Sequence, residues 1–226
     1  MKKYFLFVVI AAFIISGCKK DSPKTEPTTP EAPVTSVTIS GDDYAVVKIG
    51  KRYWTNANYT GPGGVTNPAI SNMTNAGKFY TLAQAKAITL PQGWRLPTTQ
   101  DYVQLIIDAG GTPNNGEFKY TNEVGLNLKD KISWMMLPGN GSSSFNAVSA
   151  GVYDDDLKSF ILWSNGAFFF TSSTQAIGIP SVNAPVYFAI TDSEDLTTHE
   201  KITIIRVNGL NTPAGNKASV RFVRDL

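Results

Sequence analysis

The chain has 226 residues, 42% hydrophobic and 17% charged, with 20 basic against 18 acidic side chains. This composition is too apolar for a disordered chain, too interrupted for a polytopic membrane protein and too near neutral to favour nucleic acid as a partner. One Cys and one His exclude an intramolecular disulfide and a zinc site of Cys and His alone, and leave His199 as the only histidine open to a Ser-His-acid triad.

In chain order, Lys2 and Lys3 precede an apolar run from Tyr4 to Ile15, then Ile15-Ser16-Gly17-Cys18. The run has signal-peptide length and is too short to span a bilayer comfortably. Small residues before the lone Cys resemble a bacterial lipobox, which implies cleavage after residue 17 and diacylglycerol on Cys18; the other reading is an ordinary signal peptide with an incidental Cys. Loss of Lys2 and Lys3 would leave equal numbers of basic and acidic residues. Residues 18–33 follow as a linker, with Pro23, Pro27, Pro30 and Pro33 and no large apolar side chain, a composition that predicts an extended, solvated tether. Lys19-Lys20-Asp21 resembles the surface-export signals of Bacteroidetes lipoproteins and equally suits a simple solvated tether. The expectation is an outer-membrane lipoprotein displayed at the cell surface, with the membrane as partner through the lipid and no nucleic acid.

Residues 34–226 read as a single domain. Segments 35–40 and 44–49 are strand-like around a Gly41-Asp42-Asp43 turn, and Arg52-Tyr53-Trp54 suggests a further strand. Residues 55–78, rich in Asn, Gly, Thr and Pro, predict a long loop. Thr81 with Gln84 predicts a capped helix over 82–88. A second helix starts after Thr98 or Thr99, carries Asp101 in its first turn and Tyr102, Leu105, Ile106 and Ala109 on one face, and ends at Gly110-Gly111. Pro97 keeps the segment between the helices extended. Strands are predicted over 132–136, 145–149, 159–163, 167–171, 186–190, 201–207 and 219–223, with Asn165-Gly166 as a hairpin turn. Two early helices on a mainly antiparallel sheet predict an α+β domain.

The order of these segments resembles the Fibrobacter succinogenes major paralogous domain family. The likeness starts at Val47-Lys48-Ile49-Gly50, continues through Trp54 to Asn58 and Phe79-Tyr80-Thr81, and is sharpest at Pro91-Gln92-Gly93-Trp94-Arg95-Leu96-Pro97-Thr98. The segments from Phe145 to Gly151, at Phe169-Phe170-Thr171-Ser172-Ser173 and at Ser219-Val220-Arg221-Phe222-Val223 match in order. The family often has Cys at two positions held here by Leu90 and Phe222; their joint replacement predicts that these side chains share one apolar core. Arg-Leu-Pro-Thr before a helix also resembles the C-type-lectin-like and formylglycine-generating-enzyme fold group. That resemblance implies two helices, a small mainly antiparallel sheet, long loops and termini that come together.

The oxidase chemistry of that group needs copper-binding cysteines, which this chain lacks, and the calcium-lectin tripeptides Glu-Pro-Asn and Trp-Asn-Asp do not occur. Asp154-Asp155-Asp156 is the densest carboxylate cluster; consecutive Asp on a strand cannot all face one ion, so a solvated turn is the simpler reading. Asp192, Glu194 and Asp195 read as an acidic loop and His199 as a surface residue. Trp54, Trp94 and Trp134 read as core. A glycan site is expected at Tyr153, Asp154, Asp155, Asp156, Trp163 and Asn165, an aromatic platform among acceptors. No cofactor or metal is expected. The resulting expectation is a non-catalytic binding or adhesion domain, with glycan as the ligand. The alternatives are a protein-partner or assembly module of a surface complex or pilus, and a carboxylate-based glycan-active enzyme.

Overall fold

A computed structural model describes residues 33–112, 122–177, 182–209 and 215–226. Cys18, its leader and the linker before Pro33 lie outside them. The first strands are β1 (Ser36–Ile39), β2 (Asp42–Ile49) and β3 (Arg52–Thr55). Ser40 and Gly41 have φ of 54° and 91°, so the β1–β2 turn uses two left-handed residues and draws Asp42 and Asp43 into the strand opposite Ile39 and Thr38. Such a turn matches the natural strand twist. The hairpin is therefore tighter than the three-residue turn expected from Gly41-Asp42-Asp43.

Both predicted helices form. In α1 (Leu82–Lys86), Thr81 and Gln84 cap each other's backbone N–H, and in α2 (Thr99–Asp108) Thr98 and Asp101 do the same. Each box satisfies two donors that a helix start would leave open. A third helix, α3 (Asn122–Leu128), was not among the expected elements, and it contains Gly125, a residue that disfavours helix. The glycine is there for contact: a Cβ on Gly125 would collide with Cγ2 of Thr203.

The remaining strands are β4 (Trp94–Arg95), β5 (Val152–Asp154), β6 (Ser159–Ile161), β7 (Gly166–Ile177), β8 (Val182–Glu194), β9 (Lys201–Gly209) and β10 (Val223–Asp225). They make three sheets: β1-β2-β3-β10-β4, the β5-β6 hairpin and the β7-β8-β9 meander, with every strand pairing antiparallel. The first and last strands thus share a sheet. Segments 132–136 and 145–149 are not strands; Ala147 makes only an isolated bridge, to Lys129. β6 pairs back onto β5, so Asn165-Gly166 leads into β7 without joining β6 to it as a hairpin.

The α+β, C-type-lectin-like expectation is overturned. Among the described residues 39% are strand and 14% helix, a β-rich fold. The helices are one to three turns long, whereas β7 and β8 run well past their predicted lengths; their central residues are buried on both faces, with Phe169, Phe188 and Ile190 in one core cluster and Phe168, Phe170, Tyr187 and Ala189 in another. Phe169 and Phe188 stack at 5.9 Å, and Tyr102 of α2 lies on Phe188 at 4.5 Å. Trp54 and Phe145 close this cluster. A second cluster holds Tyr59, Tyr80, Val220 and Phe222, with half-buried Leu90 packed against it, so Leu90 and Phe222 do share one core.

Candidate functional site

The residues expected to form a glycan site separate into two places. Tyr153 and Asp154 lie on β5, and Asp155 and Asp156 in the turn to β6. Asp154 Oδ1 accepts the N–H groups of Asp156 and Leu157 at 3.0 and 2.9 Å, which ties that carboxylate into the turn. The Asp155 carboxylate lies 3.0 Å from Lys158 Nζ and 4.0 Å from Lys217 Nζ. Lys217 Nζ also covers one face of the Tyr153 ring at 4.0 Å, and Phe160 meets that ring edge-on at 5.1 Å. The acidic cluster is thus built into a hairpin tip. Among the described residues no group of three His, Cys, Asp or Glu is placed to hold a metal ion.

Trp163 lies past the other end of the hairpin, three residue pairs away from that tip. It is 44% exposed. The loop that carries it is fixed by Ser164: its N–H donates to Ser149 O at 2.8 Å and its carbonyl accepts the Met135 N–H at 2.9 Å. Asn165 Oδ1 is buried without a hydrogen-bond partner. Ile132 and Met135, on the neighbouring loop, and Leu162 beside Trp163 are also exposed, giving an apolar surface instead of a platform ringed by acceptors. His199 pairs with Glu194 at 2.9 Å in an exposed turn after β8.

The sequence segments that carry the family likeness prove to be fasteners. Arg95 of the Gly-Trp-Arg-Leu-Pro-Thr segment clamps Asp101 at the start of α2 with both terminal nitrogens, and reaches Asp225 of β10 at 3.1 Å. Arg52 Nε stands 2.9 Å from Asp101 Oδ1 and 3.1 Å from Asp225 Oδ1, close enough for ion pairing though not aligned as a hydrogen bond. Burial of Asp101 acts to raise its pKa, but donation from Arg95 and from the backbone and hydroxyl of Thr98 outweighs it and holds the carboxyl at about 2.

Arg221 is fully buried. Its donors meet neutral oxygens: Nε to Asn58 Oδ1 at 2.7 Å, Nη1 to the carbonyls of Thr55 and Phe145 at 2.8 and 2.9 Å, and Nη2 to Asn146 O at 3.0 Å. The Phe145 ring faces the guanidinium at 4.9 Å. Burial pushes its pKa down to about 9, so it remains charged at neutral pH.

A cleft lies elsewhere, between the start of β2 and the Asn-rich loop of residues 55–78. Its volume is about 450 Å³, and its walls include Asp42, Asp43, Tyr44, Asn67, Asn75 and Lys78. Asp42 accepts the Thr60 hydroxyl at 3.2 Å and Asp43 that of Thr38 at 2.5 Å, which orients both carboxylates while leaving lone pairs open. The Tyr44 hydroxyl is held by Thr60 at 2.8 Å, and burial raises its pKa. Asn58, also in the lining, is buried, with Nδ2 donating to Ala76 O and Ser219 Oγ and Oδ1 accepting from Arg221. Asn67 Oδ1 caps the 3-10 turn Pro68–Ile70 through the Ala69 N–H, while its buried Nδ2 has no partner. The abundance of Asn in residues 55–78 was the sequence signal for this wall; which amides converge there depends on the fold. A wider recess of about 710 Å³ includes Asp225, which the arginines already engage.

No curated protein and no solved structure matches the chain. A family match covers residues 47–224, from the middle of β2 to β10 and well over half the chain. It takes in both arginine fasteners and most of the cleft. The chain belongs to the Fibrobacter succinogenes major domain family.

Proposed function

We propose that this chain is a cell-surface lipoprotein, anchored through Cys18, whose domain is a non-catalytic binding module for carbohydrate. The observation that carries the ligand class is the cleft beside β2. Oriented carboxylates, amides and one lysine alternate there with Tyr44 and Met73, a mixture suited to hydroxyl donors spaced along a partly apolar sugar ring. Both aspartates already accept a threonine hydroxyl, an arrangement of positioned acceptors more than of an acid–base pair. The proline-rich composition before Val34 supports display, because prolines at that density favour extended chain that would hold a domain clear of the membrane.

The test is a glycan array with the full-length protein in detergent, run with calcium and with chelator. Saturable binding in both is expected. Asp42→Asn with Asp43→Asn should weaken it about tenfold or more, the scale of losing charge-assisted hydrogen bonds. Binding that survives this pair but is lost with Trp163→Ala would move the ligand to the other surface, and no binding by folded protein would reject carbohydrate. Labelling by a fatty-acid precursor that disappears in Cys18→Ser tests the anchor, and protease shaving of intact cells tests display.

The second reading, a protein-partner module, has one observation in its favour: Ile132, Met135, Leu162 and Trp163 expose apolar area on two loops joined through the Met135 N–H and the Ser164 carbonyl.

A further inference from the structure

The end of α3 brings Lys129 beneath the meander, where its side chain is completely buried against Asp192 of β8. Lys129 Nζ lies 2.7 Å from Asp192 Oδ1. Thr203 of β9, directly opposite Asp192 in the ladder, touches both: its hydroxyl accepts from Lys129 Nζ at 3.1 Å and donates to Asp192 Oδ1 at 2.8 Å. The Leu137 N–H donates to the other carboxylate oxygen, Oδ2, at 3.1 Å. The buried Trp134 ring covers the ammonium at 4.3 Å. An amine, a carboxyl, a hydroxyl shared by both and an N–H on the second oxygen therefore meet in a site closed to solvent.

We propose that Lys129 and Asp192 condense to an intramolecular amide, covalently tying the end of α3 to β8. In water, this condensation is opposed by hydration of the ammonium and the carboxylate. Here both side chains are fully buried and have lost that hydration, so the opposition is weaker. Burial lowers the Lys129 pKa, in the direction that supplies free amine. Held contact substitutes for concentration, with effective molarities that reach roughly 10⁵ M or more in oriented pairs.

The three ammonium protons account for the balance. One passes from Nζ to Oδ1, giving amine and carboxylic acid. The nitrogen lone pair then forms the Nζ–Cγ bond, and negative charge moves to Oδ2, where the Leu137 N–H stabilises it. A second proton travels from Nζ through the Thr203 hydroxyl to Oδ1. The Cγ–Oδ1 bond breaks, one water departs and the third proton remains on the amide nitrogen. No oxidant, cofactor or second substrate is consumed.

Tryptic digestion of the folded full-length protein with mass spectrometry tests this directly. The amide blocks cleavage after Lys129, so residues 120–131 should appear joined to residues 159–201 at the summed mass less one water. The linear 120–129 peptide should be lost. Lys129→Arg, which keeps a cation but cannot form this bond, should release 159–201 as a linear peptide. Recovery of 120–129 and 159–201 as separate, unmodified peptides from the native protein would leave an ion pair and overturn the proposal.

Discussion

The C-terminal segment is held at two depths by two kinds of arginine contact. At its inner end, Arg221 is sealed from water and answered by neutral oxygens from Thr55, Asn58, Phe145 and Asn146. At its outer end, Asp225 is 61% exposed and sits between Arg52 and Arg95, which also hold Asp101. The inner contact uses the fixed donor fork of guanidinium to bring three separate stretches of backbone together, and its worth lies in acceptors that would otherwise be buried unpaired. The outer contact uses charge, and its worth falls with exposure. One sequence segment thus carries a geometric fastener and an electrostatic one.

Removing the inner fastener should have the largest effect. Arg221→Met strips four oxygens of their donor, and a loss of about 3–5 kcal/mol is expected in urea unfolding. Arg221→Lys should recover little of it, since an ammonium cannot span the same acceptors. Full recovery with lysine would mean that charge, not donor geometry, matters there.

The Asp101 clamp comes next. Its folded pKa of about 2 lies below the unfolded value of 3.8, so its contribution is present above pH 4 and is lost as pH falls toward 2. The shift corresponds to about 2 kcal/mol. Asp101→Asn should lower stability at neutral pH by about that amount and flatten the acid limb between pH 4 and 2. An unchanged acid limb in urea titrations would place the acid sensitivity elsewhere. Asp225→Asn should cost less than about 1 kcal/mol, because the carboxylate is mostly solvated. A larger loss would make the outer contact as structural as the inner one.

Legibility followed the range of the interactions. Thr81 with Gln84 and Thr98 with Asp101 were readable because each capping box closes within one helical turn. The shared core of Leu90 and Phe222 was readable from a substitution pattern in the family likeness. The acidic run at residues 154–156 drew attention for its density, yet two of its carboxylates are spent on turn N–H groups and lysines. The cleft was missed for the opposite reason: Asp42 and Asp43 read as turn residues, and only the two-residue turn at Ser40-Gly41 makes them part of a strand beside the Asn-rich loop.

The amino-acid sequence by itself determined the family, the two capped helices and most strand positions of the meander, because local hydrogen bonds and alternating apolar residues are written in neighbouring positions. Tertiary structure decided the rest. It set α3 against β9 through a glycine that local propensity disfavours, paired β6 with β5, and buried Arg221 against an asparagine 163 residues away. Such choices depend on which surfaces meet after collapse, and a residue's neighbours in the chain carry no record of its neighbours in space.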